Sequence, residues 1–461
     1  MAHSQPNVSP RIDAFPVRRT FIALSALLLL PACDTVGGLF ESSRKVEIYG
    51  TRIPVLPPDQ EEGADPALAG VQVILPDPYT NTEWPTPGGF ADNVLQHLRA
   101  DGSLQPVWST DAGEGTSSVA QLTANPVIAG GRIFVLDAAV TVRAFSEANG
   151  ELLWEADLMP PEEETDDDPE TGFGGGVVFD GGMVFAATGF GDVIAMDAAT
   201  GERKWRYTAP VPIRAAPQAA GGRVFVITQE NELVALAQDD GRVLWDHQGI
   251  AETAGILGST NVAVAGDTVF VAYTSGEVHA LRIQNGRPLW NDSLSRTSAL
   301  TPLSSINDIA GRPVVDRGFV FAISHSGRFV AINQRTGERI WTRDVSGAQT
   351  PVIGGDFVFV VSTDARVYCL SRATGGIKWI AQLPRWEDPE NLEGAIVWSG
   401  PLLVSDRLVL VSSIGTAVSV SPYTGETLGQ ILLPAGTFVP PILANGTMYI
   451  LTNDAELIAL R

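Results

Sequence analysis

Cysteine is nearly absent from this chain of 461 residues, which has only Cys33 and Cys369. Two thiols cannot build a disulfide framework or a cysteine-rich zinc site. An exported protein can pair two cysteines, but one beside a signal segment rarely serves that way. Histidine is scarce as well. His3, His97, His247, His279 and His325 are scattered without HxxxH or HxH spacing, so no ligand set for metal catalysis is visible. Basic residues are few: Lys plus Arg is 30 against 53 Asp plus Glu, a net charge of −23. Such a chain repels nucleic acid and anionic head groups, which excludes both as partners. Serine-triad logic, a P-loop and a dinucleotide fingerprint are all missing. "GFGGG" (172–176) is followed by no helix and reads as a turn.

Long apolar runs are missing too. Phe21 to Leu30 is a ten-residue stretch, half of the roughly 20 residues a membrane span needs. Arg18 and Arg19 precede it, the pattern of a signal peptide. Leu30-Pro31-Ala32-Cys33 then matches a bacterial lipobox, with Pro31 as a departure from the usual small residue. The expectation is cleavage before Cys33 and lipidation of that cysteine. Val17 is a candidate alternative start. Asp34 resembles an inner-membrane retention signal of enterobacteria, but the expected location is the periplasmic face of the outer membrane.

Glycine (47) and proline (31) are abundant, as in many short strands joined by turns. The body repeats one unit, for example "GGMVFAATGFGDVIAMDAATGERKW" (181–205) and "GGRVFVITQENELVALAQDDGRVLW" (221–245). Each unit reads as turn, strand, tight turn, strand, Thr-Gly-like turn, and a strand holding a Trp. Upstream, x-Pro-apolar signals such as Pro126-Val127, Pro313-Val314, Pro351-Val352, Pro401-Leu402 and Pro441-Ile442 open a first, innermost strand. Trp154, Trp205, Trp245, Trp290, Trp341 and Trp379 recur at propeller-blade spacing, every 40–50 residues or so. The last unit stops after two strands, and Trp108 precedes the first full one. Residues near 104–110 therefore close the last blade. The expected fold is all-β, an eight-bladed propeller of four-stranded antiparallel blades, with the repeat tryptophans as packing between blades. Cys369 aligns with Ala144, Ala195, Ala235, Ala280, Ala331 and Ala459, in a slot for a small buried residue.

The expected organisation is a signal peptide (1–32), a lipidated N-terminus and tether (33–100), and the propeller (101–461). Part of the tether lies on the propeller, and 90–100 reads as a short helix. The acidic run "PEEETDDDPE" (161–170) lacks EF-hand spacing and reads as a solvated loop. "PRWEDPENLEGAIVW" (384–398) is either a binding loop or a segment packed on its blade.

"DAATGERKW", Asp197 to Trp205, resembles the PQQ-type propeller repeat. That likeness makes a PQQ-dependent dehydrogenase the alternative function, with a ligand-binding periplasmic propeller beside it. In the dehydrogenases it implies a vicinal disulfide and a calcium site, yet this chain has no Cys-Cys pair and no CxxCH haem motif. Lipobox, linker and repeats together are similar to the BamB family, lipoproteins of the outer-membrane β-barrel assembly (BAM) machine. "RIPVLP" (52–57) and "LPDPYTNTEWPTPGG" (75–89) look like the pre-propeller region of alphaproteobacterial relatives. The resemblance implies a non-enzymatic scaffold without cofactor or metal. It also implies partners: the POTRA domains of BamA, the BAM complex, the membrane through the lipid, and unfolded outer-membrane proteins as a further candidate.

In that family an apolar-x-apolar-Arg loop before the third blade touches BamA. Val211, Ile213 and Arg214 match it. Of an Asp-x-Asp feature before the fifth blade, Asp308 is present and Ala310 replaces the second acid. Val211 and Ile213 have a second reading, as the opening of the next blade's first strand. Cys33→Ala is expected to abolish incorporation of an alkyne-palmitate label and to release the protein from the membrane fraction.

Overall fold

In the computed structural model, the described residues are 63–118, 120–160, 174–252, 260–295 and 307–461. The signal segment, Cys33 and the acidic run 161–170 lie outside them. Among the described residues the strands form eight four-stranded antiparallel sheets, arranged as a β-propeller, and one two-stranded hairpin. Blade 1 comprises Val127–Ala129, Arg132–Leu136, Thr141–Ser146 and Leu152–Asp157, from the axis outward. Blades 2 to 7 follow the same order. Blade 8 takes its outer strand, Pro106–Asp111, from the start of the disc, paired with Glu456–Leu460 at its end. The expected fold and its closure are thus both present.

The prolines do as expected at four inner strands, which open at Val127, Val314, Val352 and Ile442. Blade 7 differs. Its inner strand runs Trp398–Val404 through Pro401, and the register shifts between Ser399 and Leu402. A strand tolerates proline at such an irregularity, where no ladder donor is needed.

Rows of aromatic side chains cross the blades. Phe185 pairs with Ala195, and Ala195 with Trp205. The same Phe–small–Trp row recurs at Phe134, Phe225, Phe270 and Phe321, and at Phe359 with Cys369. In blade 8 Tyr449, Ala459 and Trp108 form it. The paired ring centroids lie 5.7–6.0 Å apart. Cys369 is fully buried, and burial pushes its thiol pKa up.

Each indole also reaches the following blade. Trp205 Nε1 donates to the Gln238 carbonyl at 3.0 Å and Trp341 Nε1 to that of Arg372 at 2.8 Å. The ring covers a turn glycine there. A Cβ on Gly241 would stand 2.5 Å from Trp205, and one on Gly375 2.7 Å from Trp341. Both glycines have positive φ, 73° and 67°. The Thr-Gly-like turns therefore need glycine twice, for conformation and for clearance.

One row is broken. In blade 7 it reads Val409–Ser419–Gly429. A cavity of about 320 Å³ lies there, against Met448, Ile450 and Leu460 of blade 8 and Leu104. Blade 8 has no covalent turn at that place, because its third and fourth strands come from opposite ends of the chain. Gln105 and Arg461 exchange backbone hydrogen bonds instead.

Residues 63–101, expected to be mostly tether, run under the disc and across its axis. Asp65 N–H donates to Ile377 O on the outer strand of blade 6. Leu75 abuts Gly354 on that blade's inner strand. Trp84 and Ile128 exchange backbone hydrogen bonds in blade 1, and Phe179 of blade 2 donates to Pro85 O. The Ala91 carbonyl accepts from the Gln218 side chain of blade 3 and from Val264 N–H of blade 4. Val315 of blade 5 donates to Asp92 O, Leu98 to Leu403 O of blade 7, and Asn445 of blade 8 to Asn81 O. All eight blades are thus tied to one segment. The helix expected at 90–100 is not formed. Asn93 and Gln96 have φ of 59° and 52°, and the backbone groups a helix would use internally serve the blades.

Trp341→Ala is expected to cost about 3–5 kcal/mol, the usual range for a buried tryptophan, read as a lower denaturant midpoint. Gly429→Trp adds a ring beside open space, since a Cβ there meets nothing within 4 Å, and is expected to raise the same midpoint.

Candidate functional site

Inner strands end at the glycine turns on the face covered by residues 63–101. They begin on the opposite face, which carries the loops between blades. Two of these loops hold the residues singled out from the sequence. The loop before blade 3 is pinned to its own blade, because Arg214 N–H donates to Ile227 O and Gln229 N–H to Pro212 O. The loop before blade 5 is held by His325 N–H donating to Asp308 O.

The fold brings these loops together. Arg214 Nη1 lies 3.6 Å from Asp308 Oδ2. The Arg214 side chain is 13% exposed and that of Asp308 fully buried. Burial lowers the Arg214 pKa, and Asp308 opposes that shift. Nε and Nη2 of Arg214 have no hydrogen-bond partner among the described residues.

Val211 is half-buried and adjoins this pair in sequence. Ile213 is fully buried with Val178, Phe185 and Val226. It bridges Thr228, at the end of blade 3's second strand. Its place is in the core beneath the loop, so of the apolar pair only Val211 is partly at the surface. The inter-strand ladder, which the sequence alone does not locate in space, accounts for this.

In the 384–398 segment, Trp386–Asp388 pairs with Glu393–Ala395 as a hairpin. Arg385 lies 5.1 Å from the centre of the half-buried Trp386 ring. Trp398 is packed inside, with Nε1 donating to Pro384 O. Among the described residues no group of three or more His, Cys, Asp or Glu could hold a metal ion.

Sequence reasoning missed Arg312 and Asn125. Both lie at starts of inner strands beside the axis and are almost wholly buried. Arg312 Nη2 donates to Asn125 Oδ1 at 2.6 Å. The only local signal is an Arg before a strand-opening proline, which does not distinguish an axial residue from a loop one.

Eight four-stranded blades with Trp-over-glycine joints define a propeller of the PQQ-like repeat class. A family model described as outer membrane protein assembly factor BamB matches residues 88–165 and 139–381, and the chain belongs to that family. The outer membrane protein assembly factor BamB of Nitrosomonas eutropha is 24% identical over 245 residues, covering 53% of this chain and 56% of the relative. The alignment thus spans little more than half of that relative. The crystal structure of BamB from Moraxella catarrhalis has a TM-score of 0.64 at 19% identity, covering 78% of this chain and all of that one. A europium-containing methanol dehydrogenase has a TM-score of 0.63 at 15% identity, over 80% of this chain and 89% of its own. At such identities the likeness is one of fold.

Asp308→Ala is expected to cost about 3 kcal/mol or more in urea unfolding, since it strands a buried cation. Replacing both partners, Arg214→Met with Asp308→Leu, is expected to cost clearly less.

Proposed function

We propose that this protein is a non-enzymatic subunit of the β-barrel assembly complex, anchored through a lipid on Cys33 at the periplasmic face of the outer membrane. Its inter-blade loop face would hold the POTRA region of BamA in position for inserting barrel precursors. Membership of the assembly-factor family supports the general role. The observation that carries the surface assignment is the Arg214–Asp308 pair, in which two loops singled out separately meet on one face.

In this reading Arg214 and Val211 meet the partner, while Ile213 and Asp308 hold them from beneath. The part of the Arg214 side chain that remains accessible would be covered by the partner. The lipid would confine the disc to the membrane face, so that a weak contact suffices at high local concentration.

The dehydrogenase alternative is disfavoured by the axis of the disc. The cavity there is about 40 Å³, far below the roughly 300 Å³ at which small-molecule pockets begin. Trp84, Leu95 and strand-opening prolines close around it.

Val211→Glu, at the half-buried loop position beside Arg214, is expected to abolish recovery of BamA in membrane crosslinking while circular dichroism stays that of the parent. Unchanged recovery would remove this surface from the reading. Dye-linked alcohol oxidation by the purified protein would overturn the non-enzymatic role.

A further inference from the structure

The axis of the disc holds a positive charge with no negative partner among the described residues. Arg312 is 6% exposed. Its contacts are neutral: Nη2 donates to Asn125 Oδ1 at 2.6 Å, and Thr350 Oγ1 accepts from its backbone N–H at 3.2 Å and from Nη1 at 3.4 Å. Burial alone pulls the guanidinium down to about 10, and no acidic group acts on it. At neutral pH it is therefore still charged. Leaving such a charge uncompensated in the interior is expensive, and proteins normally avoid it by pairing. The other buried arginine of this face, Arg214, has Asp308.

Arg312 and Asn125 line the axial cavity, together with Trp84. Each keeps a buried N–H without a partner among the described residues: Arg312 Nε, Asn125 Nδ2 and Trp84 Nε1. One lining acceptor, Asn93 Oδ1, is likewise unpartnered. Three unpartnered side-chain donors against one side-chain acceptor, beside a cation, favour a negatively charged ligand. Size narrows the ligand. A cavity of about 40 Å³ has room for about three water-sized groups, since one needs roughly 10–15 Å³. The floor is formed by Trp84, Asn93 and Leu95 of the segment beneath the disc, and the strand starts of blades 1, 5, 6 and 8, with the middle of blade 7's inner strand, form the wall.

We propose that the axial cavity is a binding site for one small monovalent anion, of formate or halide size, held by Arg312, Asn125 and Trp84. The anion neutralises the axial arginine and ties the segment beneath the disc to the loop before blade 5. Nothing larger than a single carboxylate group enters. The site lies on the axis, whereas the proposed partner surface lies around Arg214.

Thermal unfolding of the full chain in sodium formate tests this against the sodium salt of a bulky sulfonate at equal ionic strength. The midpoint is expected to climb with the logarithm of formate concentration, and not with the sulfonate. Arg312→Met is expected to lose the difference between the two salts. An equal response to both salts in the parent, or an undiminished formate response in Arg312→Met, overturns the site. If Arg312→Met does not fold, crystals of the parent soaked in sodium bromide decide. An anomalous peak within hydrogen-bonding distance of the guanidinium supports the site, and water alone in the cavity overturns it.

Discussion

The joint between one blade's outer tryptophan and the next blade's turn glycine is the contact on which the disc depends. It combines three requirements at one point. The indole fills space that any side chain on the glycine would take, as the 2.5 Å approach at Gly241 shows. Its N–H donates to a carbonyl in the neighbouring blade's turn. Its other face packs on the blade's own Phe, 5.7 Å away in blade 2. Sheets twist whatever their sequence, but only a flat side chain with one donor at its edge can set the distance between successive twisted sheets this way. Inter-blade geometry is thereby fixed at the rim, and the loops of the opposite face inherit it. The approach of Arg214 to Asp308 is a consequence of that spacing, since each sits on a loop anchored to a different blade.

Much of the architecture is legible in the primary structure because the blades repeat. Period-2 strands, strand-opening prolines and the Trp spacing each report on the same unit, so they corroborate one another. The closure by Trp108 follows from simple counting. The substitution of Gly429 for Trp is visible as a break in the pattern, and its cause appears only in the structure, where the chain ends replace a turn. Residues 63–101 carry no repeat, and their role was not readable. Their contacts run through backbone carbonyls and amides of Trp84, Ala91, Asp92 and Leu98, which any residue type supplies. A string rich in proline and glycine looks the same whether it hangs free or is nailed to eight strands.

The functional residues divide in the same way. Arg214 and Asp308 stand out by family pattern, and the structure adds that they are neighbours and mostly buried. Ile213 was ambiguous between surface and core, because an apolar residue at a loop-to-strand boundary satisfies either description. Its zero exposure resolves it. Arg312 has no sequence signature, since being on the axis is a property of the closed ring and of no single repeat. Two buried arginines on one face, one paired with an acid and one not, are chemically distinct sites although both precede strand-opening segments.

The pairing of Pro106–Asp111 with Glu456–Leu460 has a bearing on biosynthesis. Pro106–Asp111, made before the strands of blades 1 to 7, finds its partner only when Glu456–Leu460 has left the ribosome. The segment before it needs inner strands from every blade. An open array of repeats can settle unit by unit as it emerges, but a ring closed between its first and last strands gains its last contacts together, after the largest loop has closed. Until then an unfinished seam and the edge of blade 8 stay open to other chains. The newly made protein is thus most vulnerable to mispairing in the interval before Glu456–Leu460 has been made.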